Sequence, residues 1–253
     1  MEITLLGTGT SQGVPMIGCK CEVCTSTDIH DNRLRSSAMV KVNGKTIIID
    51  AGPDFRQQML REKVNDIHAI LLTHEHKDHT GGLDDIRPFN FRNRHSIDIY
   101  CEELVQNTIK SDYSYAFGDD RYPGVPQMNL HTIDENPFFI GDIKIIPIRV
   151  LHMNLPILGF RINDFTYITD ASFISEMEIE KLKGTHTLIV NAVRKRKHYS
   201  HFNVRDALDL IKRVKPQQAY FTHISHSLGK YSEVNKELPE HVALGYDGLK
   251  ILL

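Results

Sequence analysis

Two mixed β-sheets packed face to face, with helices on their outer faces, is the α/β architecture that this sequence predicts. Three observations lead there. Strand-like runs rich in β-branched residues recur along the chain, segments of helical period alternate with them, and several strands are joined by turns alone, as at Asn43-Gly44 and Asn163-Asp164. The last point argues against a simple doubly wound sheet, because parallel neighbours need a long crossover and turn-linked strands pair antiparallel. The strand runs cover residues 3–6, 38–42, 46–49, 69–73, 97–101, 143–150, 159–162, 166–169, 187–190 and 218–222. Helical period marks 55–64, 102–111, 174–183 and 204–214. The last places Val204, Leu208, Ile211 and Val214 on one face and Arg205, Asp206, Lys212 and Arg213 elsewhere. No linker, repeat or low-complexity tract divides residues 1–253, which predicts a single domain. The exception to regularity is 111–130, where Tyr113, Tyr115, Phe117, Tyr122, Pro123, Gly124 and Pro126 follow no period. Such a stretch reads as a surface loop, a contact in a homodimer, or a wall or lid of an active site.

Composition narrows the class. The chain has 253 residues, 41% hydrophobic and 25% charged, as ordinary globular proteins do. A formal charge of −2 argues against holding nucleic acid through a general basic surface. The start, Met-Glu-Ile-Thr-Leu-Leu, lacks a basic n-region, and no apolar run approaches the ~20 residues needed to cross a bilayer. A cytosolic protein is therefore expected, with no membrane partner and with its four cysteines as thiols or metal ligands.

The chemistry is concentrated in His74-Glu75-His76-Lys77-Asp78-His79. His74, His76, Asp78 and His79 can each bind a divalent metal, and they follow directly on the apolar run 69–73. A strand stops at the ligands and a turn-prone Thr80-Gly81-Gly82 follows, so a loop presents them at the strand's carboxyl end. Side chains from one loop cannot all converge on one ion, so further ligands are expected at other strand ends. His152, Asp170 and His223 each follow an apolar run in the same way. A second cluster, Cys19, Cys21 and Cys24, implies zinc more readily than disulfides. A closed zinc site needs a fourth ligand, and His226 is the best candidate, three residues after His223, so that one loop would serve both centres.

The pattern His-x-His-x-Asp-His, followed in order by His152, Asp170 and His223, resembles the metallo-β-lactamase superfamily along essentially the whole chain. Asp50, in Ile49-Asp50-Ala51-Gly52, matches that family's first motif, an Asp that braces the metal loop. The resemblance implies an αββα sandwich with a dinuclear site at one edge. His74, His76 and His152 would hold one metal, Asp78, His79 and His223 the other, and Asp170 would bridge them. Two such ions ~3.5–4 Å apart can share a hydroxide and clamp both oxygens of a displacement. The donor set suits zinc, manganese or iron. Histidine at position 76, where redox relatives carry Glu, favours hydrolysis.

The start Gly7-Thr8-Gly9-Thr10-Ser11, with the Cys cluster and the late His226, is similar to the PhnP-like phosphodiesterase branch. That resemblance implies a metal pair of zinc or manganese, one structural zinc, and hydrolysis of a small cyclic phosphate of ribosyl 1,2-cyclic phosphate or cyclic nucleotide type. The glycine-rich start lacks the Lys and following helix of a P-loop and reads as a tight turn beneath the site. His201, in His201-Phe202-Asn203-Val204-Arg205-Asp206-Ala207, resembles the branch's late histidine motif. It is expected to act with Asp78 in catalysis by giving a proton to the leaving oxygen, with His198 as its rival. The basic run 194–197 could steer an anionic substrate inward, and Arg87 could touch its phosphate. Cys101 reads as a core residue, and His30, His68, His95, His131, His186 and His241 as surface or packing residues. Three alternatives stand beside the small-molecule phosphodiesterase. A tRNA 3′-end endonuclease would normally carry a basic arm that this sequence lacks; a thioester or lactone hydrolase would not be expected to pair a late His with a helix entry; a non-catalytic scaffold would usually have lost a ligand.

Overall fold

A computed structural model of the chain describes residues 1–118 and 122–253. The first strands are β1 (Glu2–Gly7), β2 (Ser37–Val42), β3 (Lys45–Ile49), β4 (Ala69–Leu71), β5 (Ile97–Cys101) and β6 (Met128–Thr132). Then come β7 (Phe138–Ile140), β8 (Ile143–His152), β9 (Leu155–Ile162), β10 (Phe165–Ile168), β11 (Phe173–Ile174), β12 (Thr187–Asn191), β13 (Gln218–Thr222) and β14 (Val242–Leu244). The final strand, β15 (Lys250–Leu252), returns to pair with β1, so one sheet has the order β15-β1-β2-β3-β4-β5-β6. The other runs β11-β8-β9-β10-β12-β13-β14, with β7 beside β8. Both sheets are mixed: β1, β2 and β3 pair antiparallel, β3 to β6 parallel, and β10, β12, β13 and β14 parallel. The two-residue connection Asn43-Gly44 has φ of 48° and 73°, the left-handed backbone that matches the twist of a tight hairpin.

Why the strand runs are continuously apolar is clear from the layers. Ile47 and Ile49 point between the sheets, where they meet Ala38, Val40, Phe160 and Tyr167, while Ile48 turns outward towards Phe55 and Met59. Both faces of the strand are covered, so neither can be polar. The helices are α1 (Phe55–Arg61), α2 (Lys77–Thr80), α3 (Arg87–Asn93), α4 (Glu103–Asp112), α5 (Glu176–Leu182), α6 (Val204–Val214) and α7 (Tyr231–Val234). Residues of α1, α3 and α4 pack on the outer face of the first sheet, and residues of α5 and α6 on that of the second. This is the αββα sandwich. Cys101 is fully buried in the outer core of the first sheet, as expected.

Two expectations need refinement. β6, β7, β11, β14 and β15 were not legible as strands, nor were α2, α3 and α7 as helices. In the irregular segment 111–130, residues 119–121 lie outside the described residues, and the rest is not a loose loop. Tyr113, Ala116 and Val125 are buried in the outer core, and the Tyr113 hydroxyl donates to the carbonyl of Thr80 at 2.9 Å. Its described part supports the metal loop from behind. Among the described residues no helix is long and apolar enough to cross a membrane.

Candidate metal centre

Five strands deliver polar residues to one edge of the sandwich: β3 leads to Asp50, β4 to Thr73 and His74, β8 ends on His152, β10 leads to Asp170 and β13 to His223. Asp50, Asp170 and His223 lie just past their strands with φ of 63°, 59° and 52°. This left-handed turn of the backbone redirects the chain out of the sheet, and it is uncommon for any residue but glycine. Glycine itself is required at Gly52, where a Cβ would lie 1.9 Å from the carbonyl oxygen of Asp78. The metal loop lies directly on that backbone, joined to it by Ala51 N–H to His79 O at 2.8 Å.

Hydrogen bonds fix the imidazoles one by one. His79 Nδ1–H donates to Asp50 Oδ2 at 2.7 Å, and Asp50 also accepts from the Thr73 amide at 2.9 Å and from its hydroxyl. With its hydroxyl proton on Asp50, Thr73 accepts from His74 Nδ1 at 2.9 Å. His152 Nδ1–H donates to the Ser200 carbonyl at 2.8 Å. In each case Nδ1 is held by a protein partner and Nε2 is turned towards the cluster, which is how protein partners orient metal-binding histidines. His79 Nε2 and His223 Nδ1 are buried with no hydrogen-bond partner. Asp170 lies among them, its carboxylate oxygens 3.0 Å from His223 Nδ1, 3.3 Å from His201 Nε2, 3.5 Å from His79 Nε2 and 4.0 Å from His74 Nε2. Asp78 is 3.2 Å from His79 Nε2, and the His76 and His152 ring centres are 5.2 Å apart. Orphaned nitrogens facing carboxylates are what a divalent cation would satisfy, and the mixed N and O donors suit zinc.

Electrostatics agree. Burial holds His74 well below the ordinary imidazole value, lowers His152, and brings His223 to about 4, so these three are neutral, as a ligand must be. His79 is the opposite: burial would lower it, but Asp170, Asp50 and Asp78 outweigh burial and hold it well above its usual value. Metal-free protein thus carries a proton where a cation would sit. Loading with zinc at pH 7 is expected to release that proton, so affinity should rise with pH. Calorimetry in buffers of different ionisation enthalpy would show the release, and a buffer-independent heat would contradict it.

The second cluster also assembles. Cys19, Cys21, Cys24 and His226 place their ligand atoms within 4.8 Å of one another, and His226 Nδ1 is 3.3 Å from the sulfurs of both Cys19 and Cys21. The Cys24 amide and His226 bring Cys21 down to about 6, whereas burial and the neighbouring thiolates push Cys24 up to about 11. Cys24 is therefore a thiol at neutral pH, and a bound cation is what would draw it into the thiolate form of a zinc ligand.

His201 lies closer to the cluster than expected of a proton donor alone, with a ligand atom within 4.8 Å of His152 and Asp170 ligand atoms. Its ring stacks on His223 at 4.9 Å, and its Nδ1 is 3.0 Å from the Ser200 hydroxyl, which also lies 3.2 Å from His198 Nδ1. The cleft above this cluster, about 540 Å³, is lined also by Thr10, Ser11, Arg194 and Ser225. The glycine-rich start therefore forms cleft wall. Arg87 does not reach the cleft; Asp84 holds it at the head of α3. His30 stacks on Tyr231 at 4.5 Å and His68 accepts from the Thr46 amide, both far from any catalytic role. Sequence reasoning missed Thr73 and Ser200, whose only signal is adjacency to a ligand or to His201.

The His/Asp cluster at the strand ends makes this edge of the sandwich a candidate metal centre. A family model described as the β-lactamase superfamily domain matches residues 45–224. The crystal structure of a diphosphatase of the PhnP family is 39% identical, with a TM-score of 0.93, covering 99% of this chain and 96% of that one. An octanoyltransferase of Porphyromonas gingivalis is 40% identical over 256 residues, all of this chain but 52% of that protein, so the chain spans about half the length of this relative. Zn(2+)-bound PqqB from Methylobacterium extorquens shares the fold at 17% identity and a TM-score of 0.80, each chain covered fully. The chain belongs to the metallo-β-lactamase superfamily, in its PhnP-like branch.

Proposed function

We propose that this protein hydrolyses a phosphodiester, most readily a small cyclic phosphate, with two divalent ions at the strand-end cluster. The observation that carries the reading is Asp170, a buried carboxylate within 4.0 Å of four histidines. His74, His76 and His152 would hold one ion, Asp78, His79 and His223 the other, and Asp170 would touch both. When bound, such a pair supplies a nucleophile at neutral pH and neutralises charge on the phosphoryl oxygens. Zinc or manganese fits the donors. The protein would act in the cytosol on a small molecule.

The chain's own residues do the rest. With both ring nitrogens protonated, His201 would donate from Nδ1–H to the Ser200 hydroxyl and hold a second proton on Nε2, facing Asp170 and the cleft. That is the arrangement of a proton donor to a leaving oxygen. His198 is less often protonated at neutral pH than a free imidazole, because burial and the nearby His201 and Arg194 hold it below its ordinary value. Arg194, on the cleft wall, would attract the anionic substrate. The name of the PhnP-family relative, a diphosphatase, supports phosphate chemistry. A thioester substrate is the second reading, favoured only by the octanoyltransferase name of a protein twice this length.

Metal-saturated protein should hydrolyse bis(p-nitrophenyl) phosphate and lose that activity with chelator. Hydrolysis of an octanoyl thioester with no phosphodiester turnover would overturn the reading, and cleavage of precursor tRNA would move it to the endonuclease branch.

Cys19, Cys21, Cys24 and His226 would hold one structural zinc. Cys21→Ser should remove one zinc per chain by elemental analysis and lower the melting temperature, with the His/Asp cluster still loaded. Unchanged zinc content would remove the assignment.

A further inference from the structure

Three of the strand-end histidines are oriented by hydrogen bonds, His79 by Asp50, His74 by Thr73 and His152 by the Ser200 carbonyl. His223 is different. Its buried Nδ1 has no hydrogen-bond partner, and its ring is supported by stacking, on His201 at 4.9 Å and on His79 at 6.0 Å. The place of this imidazole is therefore set by its backbone, which turns left-handed with φ of 52°. Such a turn persists where its surroundings hold it. Here the next residue is held from both sides: Ile224 N–H donates to the Thr8 carbonyl at 2.8 Å, and the Ile224 carbonyl accepts from the Thr10 amide at 3.3 Å.

Thr8 is itself locked. It is fully buried, and its hydroxyl accepts from Arg33 Nη1 at 2.8 Å and donates to Asp247 Oδ1 at 2.8 Å. Arg33, only 3% exposed, also donates to the Gly245 carbonyl at 2.6 Å, and Asp247 Oδ2 accepts from the Leu34 amide at 2.7 Å. The Gly245 amide donates to the carbonyl of Phe221, in β13, at 2.9 Å. Residues 8, 33–34 and 245–247 thus meet in one buried cluster that reaches β13 through Phe221 and the turn after it through Ile224. Burying a guanidinium and a carboxylate gains little stability over apolar packing, because desolvation offsets the attraction. Their bonds to one hydroxyl are charge-assisted and directional, so what they supply is geometry.

We propose that Thr8, fixed between Arg33 and Asp247, is the positioning residue of His223 and, through it, of one ion of the metal pair. The inference rests on the two-ion reading of the cluster and deepens it. His223 would complete the Asp78 and His79 side, so loosening Thr8 weakens that ion and spares the side of His74, His76 and His152.

Thr8→Val keeps the shape of the side chain and removes its hydroxyl, and Thr8→Ser restores the hydroxyl. Thr166→Val is the control: it removes an equally buried hydroxyl, 2.7 Å from that of Thr185, in β10 away from Asp170. Amide hydrogen exchange of the metal-free full chain, read by NMR, should be about tenfold faster at Ile224 in Thr8→Val than in the control, with Thr8→Ser close to wild type. Manganese(II) titration, followed by the EPR signal of the free ion, should show one of two affinities weakened about tenfold and the other largely unchanged, the usual cost of disturbing a group that orients a ligand. Thr8→Val that exchanges and binds like Thr166→Val would overturn the role, and so would equal weakening of both ions. Should Thr8→Val fail to fold, Asp247→Asn removes the charge with little change of shape and is read in the same way. If the wild-type chain binds one manganese or leaves bis(p-nitrophenyl) phosphate intact, the two-metal hydrolytic reading fails, and exchange at Ile224 still decides the role of Thr8.

Discussion

Asp170→Ala is expected to abolish turnover, by roughly 10⁴-fold or more, and to lower the metal content of the strand-end cluster. The effect should be this large because the residue is shared. Its carboxylate faces His223, His201, His79 and His74 together, and among the described residues no other acid reaches all four. Its loss leaves His74 and His223 without their nearest negative charge. It also removes one of the three carboxylates around His79. One ion can remain on the His74, His76 and His152 side, but the link between the two halves is gone. Kinetics on bis(p-nitrophenyl) phosphate with elemental analysis of the same sample would check this. Near-normal turnover would place the hydrolytic centre elsewhere.

The second large effect concerns His201. His201→Ala should retain the metals and lower kcat by roughly 10²–10⁴, the range for a positioned acid. The loss should track the leaving group: an alkoxide needs the proton, whereas p-nitrophenolate departs without it. The variant should therefore fail on an aliphatic cyclic phosphate and be much less impaired on a p-nitrophenyl ester. Equal losses on both would make His201 a positioning residue or a ligand, a role that its distance of 3.3 Å from Asp170 Oδ2 also allows. No loss on either would transfer the acid to His198.

Strands dense in β-branched and aromatic residues were legible, and β5 and β13 coincide with their runs to the residue even though Asp98 and Gln218 break the apolar pattern. β6 was hidden because it lies at the edge of its sheet, with Asn129, His131 and Thr132 exposed. β15 is three residues long, and its pairing of Leu252 with Glu2 spans the whole chain, beyond the reach of any local pattern. The candidate ligands were singled out by order and by their place at strand ends. The hydrogen bonds that orient them were not: Ser200 receives a bond from His152 through its backbone carbonyl, which no side-chain identity announces. Arg87 was misread because nearness to the motif in sequence says nothing about which carboxylate captures a guanidinium.

The left-handed backbone at Asp50, Asp170 and His223 has a consequence for the protein's life in a cell. Each such conformation costs on the order of 1–3 kcal/mol for a residue with a side chain, and all three side chains are also buried with ionisable groups. A bound cation offsets this by adding its binding energy to the folded state only. Stripped of metal, the chain therefore stands nearer its unfolding threshold, where proteases and chaperones act. Metal scarcity would then deplete the protein rather than leave an idle reserve of it. Its abundance, as well as its rate, would follow the supply of divalent ions.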